Sequence, residues 1–360
     1  MSGLASYLVF FLAQALVFAI LCLGLNLQWG YTGLFNIGVS GFHLVGAYAF
    51  ALLCGPPHAG QIGGLQLPFA LGLVGSMAAA AAVAFVVGIP TLRLREDYLA
   101  IVTIGIGSTL QLVALNAARL SGGSRGFTDI PRPLPALALG VFGRNLLLLG
   151  LVLALVVALY AALEAMVRSP WGRVLKAIRE DERAAAALGK SAFAYRLQSF
   201  VIGSAVMGLG GALYASFIGY ISPEDFMPIL TFQVWSMLIV GGSGNNKGAL
   251  LGALLMWAVW TASGSAAQLV LPATMQVKGG AAQIILIGLV LMVVLVLRNR
   301  PEDLGLRAYG ATEDYVPPVQ VGSPVANAFG ALRDAWHSGT FWLLFGSFAL
   351  CPSHIADGVQ

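Results

Sequence analysis

The residues of this 360-residue chain that could do chemistry fall into a few short groups. Asn36, Ser40, His43 and Ala47 recur at i, i+4, i+7 and i+11, which on a helix sets three hydrogen-bonding side chains on one face. Thr103, Gly107 and Gln111 repeat the pattern at spacings of four. In an apolar surrounding such groups need a partner or a water-filled path, so two readings stand for each stripe: bonds that hold helices together, or the lining of a route for a polar solute. The densest group runs over 169–190. Pro170 can begin a helix, Val174, Leu175 and Ile178 share an apolar side, and Gly189 is placed to end it. Arg173, Lys176, Arg179, Glu180, Glu182 and Arg183 cover the other side with charge. A short charged helix of this kind suits docking to another protein; the alternative is a solvated loop helix drawn to anionic lipid.

Other chemistry is disfavoured. Residues 241–248 follow the outline of a glycine-rich phosphate loop, but Asn246 replaces the Gly before Lys247, and Gly248 replaces the Ser or Thr that would reach magnesium. The segment reads as a tight turn, since Gly and Asn readily take positive φ. No predicted span carries Asp or Glu at its middle, which counts against a proton-coupled carrier. His43 alone supplies neither nucleophile nor orienting acid, so no catalytic residue is assigned. Cys22, Cys54 and Cys351 lack metal-ligand or paired spacing, and no metal site is assigned.

The elements that must position these groups follow from composition. Of all residues, 58% are apolar and 9% charged, and no Asp, Glu, Lys or Arg precedes Arg93. Soluble enzymes and nucleic-acid binders are excluded. Apolar runs long enough to cross a bilayer, about 18 residues or more, predict an all-α membrane bundle of eight to ten spans. The predicted spans are 5–27, 35–54, 67–92, 97–118, 142–166, 197–219, 227–242, 247–271 and 279–298, the seventh being short enough to be re-entrant. The first is expected to persist as a helix, because no basic n-region precedes it. Stripes Ser76-Ala80-Ala84-Gly88 and Ser204-Gly208-Ala212-Ser216 are expected to be packing seams. Lys and Arg in alternate loops place 93–95, 168–196, Lys247 and the C-terminus on the cytoplasmic side, with the Arg-rich loop 119–144 ordered on the other. Residues 1–300 read as a transmembrane domain and 301–360 as a cytoplasmic tail of unassigned role, with a last apolar patch at 341–351 too short to cross.

In order along 30–305, the chain carries Gly30-Tyr31-Thr32-Gly33 with Gly46-Ala47-Tyr48, and Leu92-Arg93-Leu94-Arg95 with Asp97-Tyr98-Leu99-Ala100. Gly122-Gly123-Ser124-Arg125-Gly126, Gly172-Arg173 with Ala177-Ile178-Arg179-Glu180, and Ile221-Ser222-Pro223-Glu224 follow. Gly241-Gly242-Ser243-Gly244 and Arg300-Pro301-Glu302-Asp303-Leu304 complete the set. This ordered set resembles the permease subunits of branched-chain amino-acid ABC importers, of the LivM type.

The resemblance implies a bacterial inner-membrane, multi-pass transport subunit for leucine, isoleucine and valine, with a LivH-type second permease, two cytoplasmic ATPase subunits and a periplasmic substrate-binding protein. ATP and magnesium would be bound by the ATPases, leaving no cofactor in this chain. It also implies that 171–189 is the coupling segment, with Trp171, Gly172, Arg173, Arg179, Glu180, Glu182, Arg183 and Gly189 facing or shaping the ATPase contact. The substrate pathway would fall to Asn36, Ser40, His43, Thr103 and Gln111. Many relatives have His where this chain has Val39, and residues 308–360 lie beyond the resemblance. A urea or short-amide importer is the nearest rival, followed by a secondary carrier and by a membrane scaffold whose charged loop recruits a cytoplasmic protein.

Overall fold

Within hydrocarbon a chain must satisfy its backbone N–H and C=O groups internally, which makes helices the outcome for long uncharged runs. The computed structural model describes residues 2–57, 62–94, 96–132, 141–270 and 288, and the helices follow the runs. They are α1 (Ser2–Leu25), α2 (Val39–Cys54), α3 (Phe69–Thr91), α4 (Glu96–Asn116), the short α5 (Ala118–Ser121), α6 (Val141–Arg168), α7 (Pro170–Glu180), α8 (Glu182–Ala187), α9 (Ala192–Ile218), α10 (Pro228–Gly241) and α11 (Asn246–Val270). Among the described residues the only extended pairing outside helices is an isolated bridge, Phe127 to Ile221. The fold is an all-α polytopic bundle.

Helical stretches at Ala5–Tyr31, Phe69–Thr91, Tyr98–Asn116, Phe142–Arg168, Ala192–Ile218 and Asn246–Ser265 are long and apolar enough to cross a membrane. Helices α2 and α10 are apolar but shorter. The 14 residues of α10 rise only about 21 Å, less than the ~30 Å hydrocarbon core. The chain divides into two units, Met1–Ala262 and Ser263–Gln360. Of the second only 263–270 and 288 are described, so the predicted span 279–298, the tail, the patch at 341–351 and Cys351 lie outside the described residues.

Small residues bring the central helices to backbone contact. Helix α9 packs on α1, α2 and α3. A Cβ on Gly46 of α2 would stand 2.1 Å from the Gly208 carbonyl oxygen of α9, and one on Gly211 would stand 2.1 Å from that of His43. Only hydrogen fits at these crossings. The predicted seams meet each other: Ser76, Ala80, Ala84 and Gly88 are buried along α3, and Ser204, Gly208, Ala212 and Ser216 along α9. A Cβ on Gly208 would lie 2.5 Å from Ala80 Cβ. The other side of α3 presents Leu71, Val74, Phe85 and Val86 outward, an apolar face that suits lipid.

The two ends of the bundle differ. At one end the Arg93 guanidinium stands 5.5 Å from the centre of the Phe193 ring, and Lys176 stands 5.5 Å from that of Tyr31. These contacts gather the end of α3, the α7–α8 loop and the end of the first span, as the charge pattern requires. At the opposite end loops are knitted together. Ile62 N–H donates to the Arg119 carbonyl at 2.7 Å, Phe127 and Ile221 exchange backbone bonds at 3.0 Å, and Ser216 Oγ donates to the Pro131 carbonyl at 3.2 Å. Over 119–132 the Arg-rich loop is therefore ordered, as expected.

Three boundaries depart from the sequence expectation. The first span continues past Leu25 as a π-helical turn, Asn26–Tyr31. The second span begins at Val39 and not at 35, because 33–38 are non-helical, with Gly33 at φ +79°. Asn36 therefore does not share a helical face with Ser40 and His43. The charged loop is two helices where one was expected. Asp181 leaves the helical region at φ −150°, ψ 103°, and its carboxylate accepts from the Arg183 and Ala184 N–H groups, starting α8 afresh.

Candidate functional site

The charged loop is built on an amphipathic corner. Leu175 and Ile178 turn inward, and Ile178 packs with Ala185 and Ala192 to hold α7 and α8 against the start of α9. Gly172 is buried at the sharp α6–α7 junction, where a Cβ would lie 2.1 Å from the Val167 carbonyl oxygen. Trp171 Nε1 donates to Gln198 Oε1 at 2.8 Å, and Glu182 pairs with Arg196 at 2.9 Å, both tying the loop to α9. Gly189, at φ +74°, ends α8, with the Lys190 N–H returning to the Ala185 carbonyl. Arg173, Glu180 and Arg183 are exposed. The ending of α8 also displays Leu188, whose 80% exposure is extreme for a large apolar side chain.

Arg179 departs from the expected solvated surface. Its guanidinium donates through Nη1 to the Gly30 carbonyl oxygen in the π-helical turn. A Cβ on Gly244 would lie 3.5 Å from the same nitrogen, so the guanidinium sits between the first span and the α10–α11 turn. An opening of about 340 Å³ lies here, lined by Gly30, Tyr31, Lys176, Arg179, Glu180 and Gly244. Beside it runs a polar chain: Gly244 N–H to Asn26 Oδ1 at 2.8 Å, Asn26 Nδ2 to Asn246 Oδ1 at 2.9 Å, Asn246 Nδ2 to Glu164 Oε2 at 2.9 Å. Glu164 continues to Arg168 at 2.8 Å. Arg179 thus joins α7 to the π-helical turn, and that turn is bonded to the α10–α11 turn and to α11, which is bonded in turn to α6. Residues 241–248 form the expected turn, Gly242 and Gly244 taking φ of +96° and +78°.

The polar residues of the spans separate into two clusters. In the first, Asn36 is fully buried, donates from Nδ2 to Gln28 Oε1 at 2.8 Å, and accepts from the Gly38 N–H at 2.8 Å. Its carbonyl accepts from Trp235 Nε1 at 3.0 Å. Thr103 Oγ1 accepts from the Ile37 N–H, and the Ser40 N–H donates to Thr231 Oγ1, each at 3.0 Å. These bonds satisfy the non-helical backbone at 33–38, which is tolerated at membrane depth only when enclosed or lining a cavity. In the second cluster His43 packs on Tyr214 and Phe226, while Gln111 Nε2 donates to the Pro223 carbonyl at 3.0 Å. The two residues meet the same 3₁₀ turn, Pro223–Phe226, from different helices.

Sequence reasoning passed over Asn26, Gln28 and Thr231, and read Asn246 only as part of a tight turn. Gln28 Nε2 reaches the Phe200 carbonyl at 2.8 Å and Ser204 Oγ at 3.1 Å, and Thr32 meets Ser199 at 2.7 Å, pinning the π-helical turn to α9. The available signal was a pair of amides, Asn26 and Gln28, closing an uncharged run.

The chain matches the family model described as branched-chain amino acid transport system / permease component over residues 7–296. It is 36% identical over 262 residues to the high-affinity branched-chain amino acid transport system permease protein LivM of Escherichia coli K12, covering 67% of this chain and 60% of the relative. It is 29% identical over 278 residues to a probable LivM of Methanocaldococcus jannaschii, covering 66% and 76%. The LivH permease of Escherichia coli K12 is 26% identical over 254 residues, covering 66% and 79%. The chain thus spans about 60% of the length of the bacterial LivM relative. No solved structure is significantly similar to it. With a family match running from the first span through nearly all of the apolar sequence, the chain belongs to the branched-chain amino acid transport system permease family.

Proposed function

We propose that the chain is the membrane-spanning permease subunit of an ATP-driven importer that carries leucine, isoleucine and valine delivered by a periplasmic binding protein. It pairs with a LivH-type permease in the bacterial inner membrane and sits on two cytoplasmic ATPase subunits, which bind the ATP and magnesium. The chain itself catalyses no covalent chemistry. The observation that carries this reading is the α7–α8 corner, clamped by Arg179 and the Gly30 carbonyl to the first span and wedged beside the α10–α11 turn. A push on such a corner from a closing ATPase moves several spans at once. Arg173, Glu180, Glu182 and Arg183 supply its charged outer surface, while Trp171, Gly172 and Gly189 set its shape.

Asn36, Ser40, His43, Thr103 and Gln111 border the substrate route in this reading. The bonds of Asn36, Thr103 and Gln111, the Ser40 backbone bond and the ring contacts of His43 hold the route shut in the present arrangement, and they exchange for substrate or water as the spans move. Selectivity would then rest mainly with the binding protein, so variants at Asn36 and Gln111 change rate more than preference.

The test is ATP hydrolysis by the complete complex in proteoliposomes with its binding protein, comparing leucine, isoleucine, valine, alanine and urea. Stimulation by the branched-chain amino acids is expected. Stimulation by urea alone would keep the architecture and overturn the substrate, and uptake that needs no ATPase would overturn the importer.

A further inference from the structure

Helices α2 and α9 enclose an aromatic group at the end of the bundle opposite α7. The Phe226 ring, carried on the 3₁₀ turn, lies 5.3 Å from His43, 6.0 Å from Tyr48 and 6.0 Å from Tyr214, measured between ring centres. His43 and Tyr48 are 1% and 6% exposed, and Phe226 is 1% exposed. Two polar atoms there have no partner: His43 Nδ1 and the Tyr48 hydroxyl. In the neutral tautomer that carries its proton on the other ring nitrogen, His43 Nδ1 is a lone-pair acceptor. Unsatisfied acceptors are costly in an apolar interior and persist where some state of the protein uses them.

We propose that His43, Tyr48 and Tyr214 form a cage for the α-ammonium group of the transported amino acid, and that Phe226 occupies it as a plug when substrate is absent. The chemistry fits a primary ammonium. Aromatic faces attract a cation, and a neutral imidazole nitrogen and a phenolic oxygen accept its N–H groups. A neutral amide such as urea gains no cation–π attraction. The plug can leave because it rides on a short turn outside the long helices. That turn is held by the Gln111 bond to the Pro223 carbonyl and by the Asp225 carboxylate accepting from the Ser222 N–H at 2.8 Å. The inference rests on the importer reading above and deepens it.

The experiment measures binding of radiolabelled leucine to the assembled permease–ATPase complex in nanodiscs, without binding protein, in wild type and in Phe226→Ala. The unplugged variant is expected to bind leucine at least tenfold more tightly than wild type. Adding Tyr48→Phe, which keeps the ring, or His43→Gln should weaken that binding about tenfold each, the worth of a hydrogen bond to a charged group. Competition by 2-hydroxy-4-methylpentanoate, which has the same side chain and carboxylate but no ammonium, should be at least tenfold weaker than by leucine. No gain of binding in Phe226→Ala, equal competition by the hydroxy acid, or indifference to both cage variants would overturn the cage. Leucine-stimulated ATP hydrolysis of the same preparation with binding protein separates that failure from failure of the importer reading, which would show as no stimulation at all.

Discussion

Replacing Arg179 by Ala removes the bond from α7 to the Gly30 carbonyl and empties the space beside Gly244. The consequence is a looser joint between the charged loop and the first span, because Lys176 over Tyr31 is then the nearest remaining cationic contact between α7 and that turn. A hydrogen bond from a charged donor contributes about 1.5–3 kcal/mol when enclosed. Arg179 is an exposed residue and its bond to Gly30 only part-buried, so solvent screening brings this to roughly 1 kcal/mol, about a fivefold change in the docked-to-undocked ratio of α7. The assay is the number of leucine molecules taken up per ATP hydrolysed in proteoliposomes. Arg179→Ala should lower that ratio several-fold while the complex still assembles and hydrolyses ATP, and Arg179→Lys should recover part of it by keeping one donor. An unchanged ratio in Arg179→Ala would refute the clamp. Loss of assembly in Arg179→Ala with full recovery in Arg179→Lys would instead make Arg179 a docking residue and refute the transmission argument.

Further outcomes follow from other contacts. Gly46→Ala sets a methyl 2.1 Å from the Gly208 carbonyl oxygen and 2.4 Å from its Cα, both backbone, so α2 and α9 must separate. The expected cost is about 1–3 kcal/mol, read as a lower thermal midpoint of the complex. Asn246→Ala orphans Asn26 Nδ2 and a Glu164 oxygen, and should cost about 2 kcal/mol, checked by the same melt and largely rescued by Asn246→Gln only if the longer amide reaches both partners. Leu188→Asp alters a side chain that is 80% exposed, so the permease should insert and melt as before, while ATPase subunits co-purify less well. Charge reversal of Glu182 breaks the pair with Arg196, a side chain only 19% exposed, and should loosen α8 from α9 and reduce ATPase association; retained association with normal transport would leave α8 a solvated loop helix.

Much of the molecule was legible in the chain itself. Continuous apolar runs of helix-spanning length in the uncharged sequence before Arg93 point to helices, each bonding its own backbone within the bilayer, and small residues at every fourth position on α3 and α9 marked the seam where those helices meet. Pro170 and Gly189 bracketed the charged loop because their backbone preferences are local. What the sequence could not decide depended on partners distant along the chain. Periodicity placed Asn36 on a helix with Ser40 and His43, yet Gln28, Trp235 and Thr103 bond the segment 33–38 and make its non-helical path stable. Arg179 read as surface charge until Gly30, 149 positions away, supplied its acceptor. His43 and Gln111 read as members of separate stripes until the turn Pro223–Phe226 brought them to one place. The physical reason is common to all three. Hydrophobicity and φ preference act over a few residues, whereas the satisfaction of a buried polar group is settled only by whichever donor or acceptor the tertiary fold carries to it.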